Sequence, residues 1–117
     1  MNVNNDPTQV ALVRLLDSTA LRHRVLTANL ANADTPGYVR QDVNFEEQLA
    51  EAVRTGNLDR FSASVSEDRV SPARADGNNV AIDQELSEIS KNALMHQMGI
   101  QLLQAKLSIQ RIAITGR

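Results

Sequence analysis

At 117 residues the chain is long enough for one small domain, and its 42% hydrophobic content comes with only 3% aromatics, which suits helical seams of Leu, Ile, Val and Ala better than a thick globular core. Lys+Arg 12 against Asp+Glu 14 leaves a net charge of −2 with no basic run to attract nucleic acid, and the lack of cysteine removes disulfides, thiolate catalysis and Cys-based zinc sites. No apolar run approaches the roughly 20 residues needed to span a bilayer, and the polar start from Met1 to Pro7 gives no expectation of a cleaved secretory signal.

Residues 1 to 7 are polar and expected to fray, with Asp6-Pro7 or Thr8 available to cap and open a helix. From there Leu12, Leu16, Thr19, His23, Leu26, Leu30 and Ala33 recur at alternating spacings of four and three, a heptad seam that predicts a helix over residues 8–33. Leu21, Val25 and Ala28 add a second stripe, so this helix offers apolar surface to more than one neighbour.

The helix runs into Asn29-Leu30-Ala31-Asn32-Ala33-Asp34-Thr35-Pro36-Gly37-Tyr38. Pro36 pushes Thr35 out of the α region and Pro36-Gly37 suits a type II turn, so the helix stops here. Asn29 and Asn32, three apart near that end, can hydrogen-bond carbonyls that the last turn leaves unpaired. Tyr38, one of three aromatics, leaves the turn with a polar tip that needs a partner.

After a short extended stretch, Asn44-Phe45-Glu46-Glu47 reads as an N-cap with Glu at N3, opening a helix that carries Phe45, Leu49 and Val53 and stops at Gly56. Residues 57–79 are rich in Ser, Gly, Pro and Asn and are expected to form a loop, disordered in the free subunit, although Phe61, Ala63 and Val65 alternate as a short strand would.

A second long helix is expected to open at Asp83 as N-cap, with a seam of Ile82, Leu86, Ile89, Ala93, His96, Ile100, Leu103, Leu107, Gln110 and Ile114. A further stripe of Leu94, Met98, Leu102, Ala105, Ile109 and Ile112 makes it apolar on about half its circumference. Paired antiparallel, the two seams set Leu12 against Leu107, Leu16 against Leu103, Thr19 against Ile100, Leu26 against Ala93, Leu30 against Ile89 and Ala33 against Leu86, with His23 opposite His96.

Chemistry is sparse. The two histidines each sit in a seam without a carboxylate at metal-ligand spacing, and Glu46-Glu47 and Asp83/Glu85 read as helix-start charges. No phosphate loop or nucleophile triad has its structural context. Arg14, Arg22 and Arg24, offset by Asp17, suit a solvated face or subunit salt bridges better than a nucleic-acid patch. Neither a catalytic residue, a cofactor nor a small-molecule substrate is expected.

The string Asn29, Asn32, Thr35, Pro36, Gly37, Tyr38 closely resembles the signature near the N-terminus of the bacterial flagellar axial proteins, the rod and hook family. The following Val39 to Phe45, then Lys91-Asn92, Met98 to Leu103 and Ile114 to Arg117, carry the likeness to both ends; Ala81 stands where that family commonly has Asp. The resemblance implies a subunit of the proximal rod of the basal body, assembling helically with itself and other rod proteins, neighbouring the membrane ring, passing torque to the hook, and leaving through the flagellum's own type III export channel without a cleaved signal. It also makes Phe45 and Leu49 candidates for an export-gate recognition motif, although Phe and Leu four apart are equally an ordinary packing pair.

The fold expected is mainly α, with long N- and C-terminal helices pairing as an antiparallel coiled-coil-like hairpin around a small irregular middle module containing a short helix and a possible short β-hairpin. Residues 1–36 form the first helix and turn, 37–80 the middle module and 81–117 the second helix. Leu12, Leu16, Leu26, Leu30, Leu86, Ile89, Ile100, Leu103 and Leu107, with Met98, Leu102, Ile109 and Ile112 of the outer stripe, are the candidate seam and assembly residues. A soluble two-helix adaptor binding a partner helix would account for the seams but not for the Asn29-to-Tyr38 string.

Overall fold

Asp6 opens the first helix, its carboxylate accepting from the Thr8 amide at 2.9 Å, and Pro7 occupies a first-turn position where no donor is missed. That helix, α1 (Pro7–Ala31), leads to a two-residue strand β1 (Gln41–Asp42), a short helix α2 (Glu46–Thr55), a 3₁₀ turn (Leu58–Arg60), a second two-residue strand β2 (Ser66–Glu67) and a long helix α3 (Ile82–Thr115). The structure is a computed structural model that describes residues 6–116; the fraying expected of residues 1–5 lies outside them. With extents of 63 × 27 × 15 Å, the molecule is a hairpin of α1 and α3 carrying the middle module on one side.

α1 stops as its sequence demands. The Asn32 amide still reaches the Ala28 carbonyl, and then Thr35 accepts from Tyr38 N–H at 3.2 Å across Pro36 and a Gly37 whose φ is +75°, the type II turn. The other two helices start differently from expectation. The cap of α2 is Phe45 rather than Asn44, and it makes no side-chain cap bond; the Glu46 carboxylate accepts from Phe45 N–H at 3.2 Å instead. α3 begins at Ile82 after Ala81, which places Asp83 and Glu85 inside the first turn, where their charge meets the helix dipole. Gly56 ends α2 and Gly116 ends α3 in the left-handed region.

The core is small and centres on one aromatic ring. Phe45, 1% exposed, packs with Val43 and Val25, and Leu15, Leu21, Leu49, Phe61, Ala63 and Met95 close around them. Arg22 lies 4.3 Å over the Phe45 ring while donating to the Val43 carbonyl and pairing with Glu46 at 2.5 Å. Segment 57–79, expected as a loop, takes part in this packing. Phe61 and Ala63 turn toward the core without forming a strand, and the pairing strand comes later, with Ser66 opposite Asp42 and Glu67 opposite Gln41. The small sheet therefore joins distant segments around α2 and is not a tight hairpin.

The α1–α3 pairing holds, but in a register about one helical turn from the expected one. Leu16 meets Gly99 rather than Leu103, and Thr19 meets His96 rather than Ile100. His96 thus pairs with Thr19 and not with His23, which is exposed. The row that α3 turns toward α1 includes Glu85 against Asn29, Asn92 against Thr19, Gly99 against Leu16, and Lys106 and Gln110 against Asp6. Leu86, Ala93, Ile100 and Leu107 give way to their preceding neighbours, and Leu86 and Leu107 are 47% and 44% exposed. α3 is inverted relative to an ordinary surface helix: its buried residues are Glu85, Asn92, Gly99 and Gln110, whereas Leu94, Met98, Leu102, Ile109 and Ile112 are between 49% and 63% exposed.

Candidate functional site

The signature turn is the centre of a polar joint that fastens α1, the middle module and α3 together. Asn29, fully buried, was expected to cap its own helix; instead its amide donates to the Gln41 carbonyl at 2.8 Å while its oxygen accepts from Gln41 N–H at 2.9 Å. A side chain thus makes the two-point pairing of a neighbouring strand. The same oxygen accepts from the Tyr38 hydroxyl at 3.0 Å, the partner that phenol required, and the amide also reaches Glu85 at 3.3 Å. Asn32 does cap its helix, donating to the Ala28 carbonyl at 2.8 Å and accepting from the Thr35 hydroxyl at 3.1 Å.

Glu85 is 1% exposed, a position a carboxylate tolerates only when paired and hydrogen-bonded. Arg40 provides the pair, its Nε 2.6 Å from Glu85, and its terminal nitrogen bridges Asp68 at 2.8 Å and Asp42 at 3.2 Å. Burial would lower the Arg40 pKa, but hydrogen bonds to Glu85 and Asp68 outweigh it and raise it, so the guanidinium stays charged. Hydrogen bonds from Ser71 and then Arg40 hold the Asp68 carboxyl well below the usual carboxylate range. Burial first, and then the Glu85 charge, raises the Tyr38 phenol. The backbone joins in: Asp68 N–H donates to the Arg40 carbonyl, Arg40 N–H to Asn79 Oδ1 and Asn79 Nδ2 to the Asp68 carbonyl.

Sequence reasoning missed the residue that finishes α1. Asn78, fully buried, donates through one amide nitrogen to the carbonyls of Asn32, Ala33 and Thr35 at 2.8, 3.0 and 2.9 Å, and its oxygen accepts from Val80 N–H at 2.7 Å. Arg74 donates to the Ala33 and Val80 carbonyls, and the Asp76 carbonyl accepts from Gly37 N–H at 2.8 Å. Gly77 presses on the turn so closely that a Cβ there would stand 3.3 Å from the Gly37 Cα. A loop-like Gly-Asn-Asn run gave only a compositional hint, because its partners lie more than forty residues away in sequence.

The remaining candidates fall elsewhere. Phe45 and Leu49 pack together in the core, so a partner reading them must meet the chain unfolded. Leu26 is buried and Leu12, Leu16, Leu30, Ile89, Ile100 and Leu103 are half-buried along the hairpin, while Met98, Leu102, Ile109 and Ile112 form the outer stripe. Among the described residues no cluster of His, Cys, Asp or Glu could hold a metal ion, and no helix is long and apolar enough to cross a membrane. The joint is thus a fastening of three segments, and the chemistry it offers is positional.

A family model described as flagella basal body rod protein matches residues 17–38, the second half of α1 and the turn. Three curated relatives are each described as flagellar basal body rod protein FlgB. That of Aquifex aeolicus is 35% identical over 111 residues, covering 89% of this chain and 90% of its own. That of Cereibacter sphaeroides is 36% identical over 108 residues, covering 81% and 84%. That of Aeromonas hydrophila is 32% identical over 109 residues, covering 81% and 83%.

Proposed function

Because the chain belongs to the FlgB family of flagellar basal-body rod proteins, we propose that it is a subunit of the proximal rod that assembles helically with itself and with other rod proteins and passes torque toward the hook. Membership places it in the flagellar basal body with a structural role. There it sits next to the membrane ring, and it reaches the rod through the export gate.

One observation supports assembly above the others: the outer face of α3. Between Asn92 and Gln110 the only Asp, Glu, Lys or Arg is Lys106, and it is already paired with Asp6 at 2.9 Å. A helix face meant for water would carry charges, whereas this stretch carries Leu94, Met98, Leu102 and Ile109, with Ile112 continuing the face just beyond it. Burying the exposed half of each of these five side chains would contribute roughly 4–7 kcal/mol per subunit. That rivals the whole stability of a small domain, so neighbours supply what the single chain lacks.

The test is incorporation. In cells lacking their own copy of the protein, the wild-type chain is expected in purified basal bodies, and Leu102→Gln with Ile109→Gln is expected to be lost from them while its melting temperature as a free subunit stays unchanged. A monomer that binds one partner in a saturable 1:1 complex and never enters basal bodies would restore the adaptor reading. For the export gate, Phe45→Ala must be scored as secretion per molecule of soluble protein, since removing a core ring also lowers the amount of folded chain. Unchanged secretion per molecule would leave Phe45 and Leu49 as packing residues only.

A further inference from the structure

A groove of about 490 Å³ opens between α1 and α3, lined by residues of those two helices alone. Its floor is Thr19, whose hydroxyl lies 2.7 Å from His96 Nδ1 and 3.0 Å from the Leu16 carbonyl, and the buried Asn92, which donates to the Thr19 carbonyl at 2.8 Å. The hydroxyl lies within hydrogen-bond distance of both the Leu16 carbonyl and the imidazole, which fixes the ring against the floor. Ala20 and Ala93 are too small to fill the space above, and the exposed His23, Arg24 and Gln97 stand at its edge. No acidic residue lines it.

The charge at that edge is the informative part. Of the three arginines on this stretch of α1, Arg14 donates to the Leu58 carbonyl at 3.1 Å, and Arg22 is held by the Val43 carbonyl, Glu46 and the Phe45 ring. Arg24 makes no ion pair and no side-chain hydrogen bond among the described residues. A slot walled by alanines between two helices admits the ridge of a third, and covering a guanidinium without a counter-charge is costly.

We propose that this groove receives a helix of a neighbouring rod subunit, one that sets an apolar side chain between Ala20 and Ala93 and a carboxylate on Arg24. The proposal rests on the rod reading and names the chemistry of one of its contacts. The planar fork of Arg24 takes the carboxylate through two parallel bonds, and the Gln97 amide adds a donor beside it.

Genetics can test this without knowing the partner in advance. Arg24→Glu, at an exposed position that holds nothing among the described residues, should fold with an unchanged melting temperature and circular dichroism spectrum yet enter basal bodies at least about tenfold less well than wild type. Arg24→Lys should keep most of the incorporation. Ala93→Leu, which fills the slot with apolar atoms, should also lose incorporation without losing stability. Motile revertants selected from Arg24→Glu should include acid-to-base substitutions in a neighbouring rod subunit or at an exposed acid of a second copy. Wild-type incorporation of Arg24→Glu, or revertants found only at buried positions of this chain, would overturn the groove contact while leaving the rod assignment standing. Absence of the wild-type chain itself from basal bodies would overturn both.

Discussion

The two ends of the hairpin solve the problem of burial in opposite ways. At the turn end, Asn29, Asn78 and Glu85 are almost completely buried and every one of them is hydrogen-bonded within the chain. At the other end, α3 beyond Gly99 keeps Leu102, Ile109, Ile112 and Ile114 in the open, and the side-chain oxygens of Gln9 and Gln110 are buried there with no hydrogen-bond partner among the described residues. The turn end is complete in one molecule. The far end has its polar groups inside and its apolar groups outside, an arrangement that suits the proposed cover by neighbouring chains.

If that contrast is right, substitutions at the turn end should damage the free subunit and those at the far end should damage only the assembly. The largest effect is expected from Arg40→Ala. It leaves the Glu85 carboxylate buried beside Asp68 and Asp42 without a cation, and should cost about 3–5 kcal/mol in denaturant unfolding of the monomer. An Arg40→Ala subunit as stable as wild type would show that the joint does not hold the molecule together.

The same cluster makes a pH prediction. The folded Asp68 is harder to protonate than an unfolded Asp, because Ser71 and Arg40 favour its charged form. Its contribution is present above the ordinary carboxylate value of about 3.9 and is lost as the pH falls below it. Melting temperature should therefore drop on acidification below about pH 4 more steeply in wild type than in Asp68→Asn; parallel curves would exclude this origin.

Asn78→Ala comes next, since it removes the donor shared by the Asn32, Ala33 and Thr35 carbonyls, with an expected loss of about 1–3 kcal/mol. Hydrogen exchange should quicken at Gly37 and Tyr38 while the middle of α3 keeps its protection. Gly37→Ala should cost about 1 kcal/mol, all of it from the +75° φ, because a Cβ there meets nothing within 4 Å. Gly77→Ala should exceed it by virtue of the 3.3 Å contact with Gly37. Equal losses at the two glycines would mean that the close approach carries no energy. Smallest of all, Leu102→Gln should change monomer stability by no more than about 0.5 kcal/mol, as exposed positions do.

What could be read from the sequence was what is local. The helix ends at Asp6, Gly37 and Gly56 are decided within a few residues, and each appears where the chain signals it. The register is not legible in the same way, because most of the apolar residues of α3 do not face α1. The true inner row of Glu85, Ile89, Asn92, His96, Gly99, Leu103, Lys106 and Gln110 keeps the same alternation of four and three and shares Ile89, His96, Leu103 and Gln110 with the expected seam, but its other positions are polar or small where the expected seam is apolar. Asn78 and Arg74 are not legible in the sequence at all, since nothing near them reveals a helix end that they complete from 41 to 46 positions away.

The cap supplied by Asn78 also sets an order of events. Its hydrogen bonds to the end of α1 span 43 to 46 residues, and the contact of Thr19 with His96 spans 77. In a chain that emerges N-terminus first, from a ribosome or from a narrow conduit, α1 and its turn come out long before anything can close them. Loop-closure entropy must then be overcome twice, once at the turn and once along the helices. Until residue 78 arrives the molecule has a helix with an open end, and until residues 85 to 110 arrive it has no hairpin, so the chain remains flexible for most of its own passage and stiffens only as its last third appears.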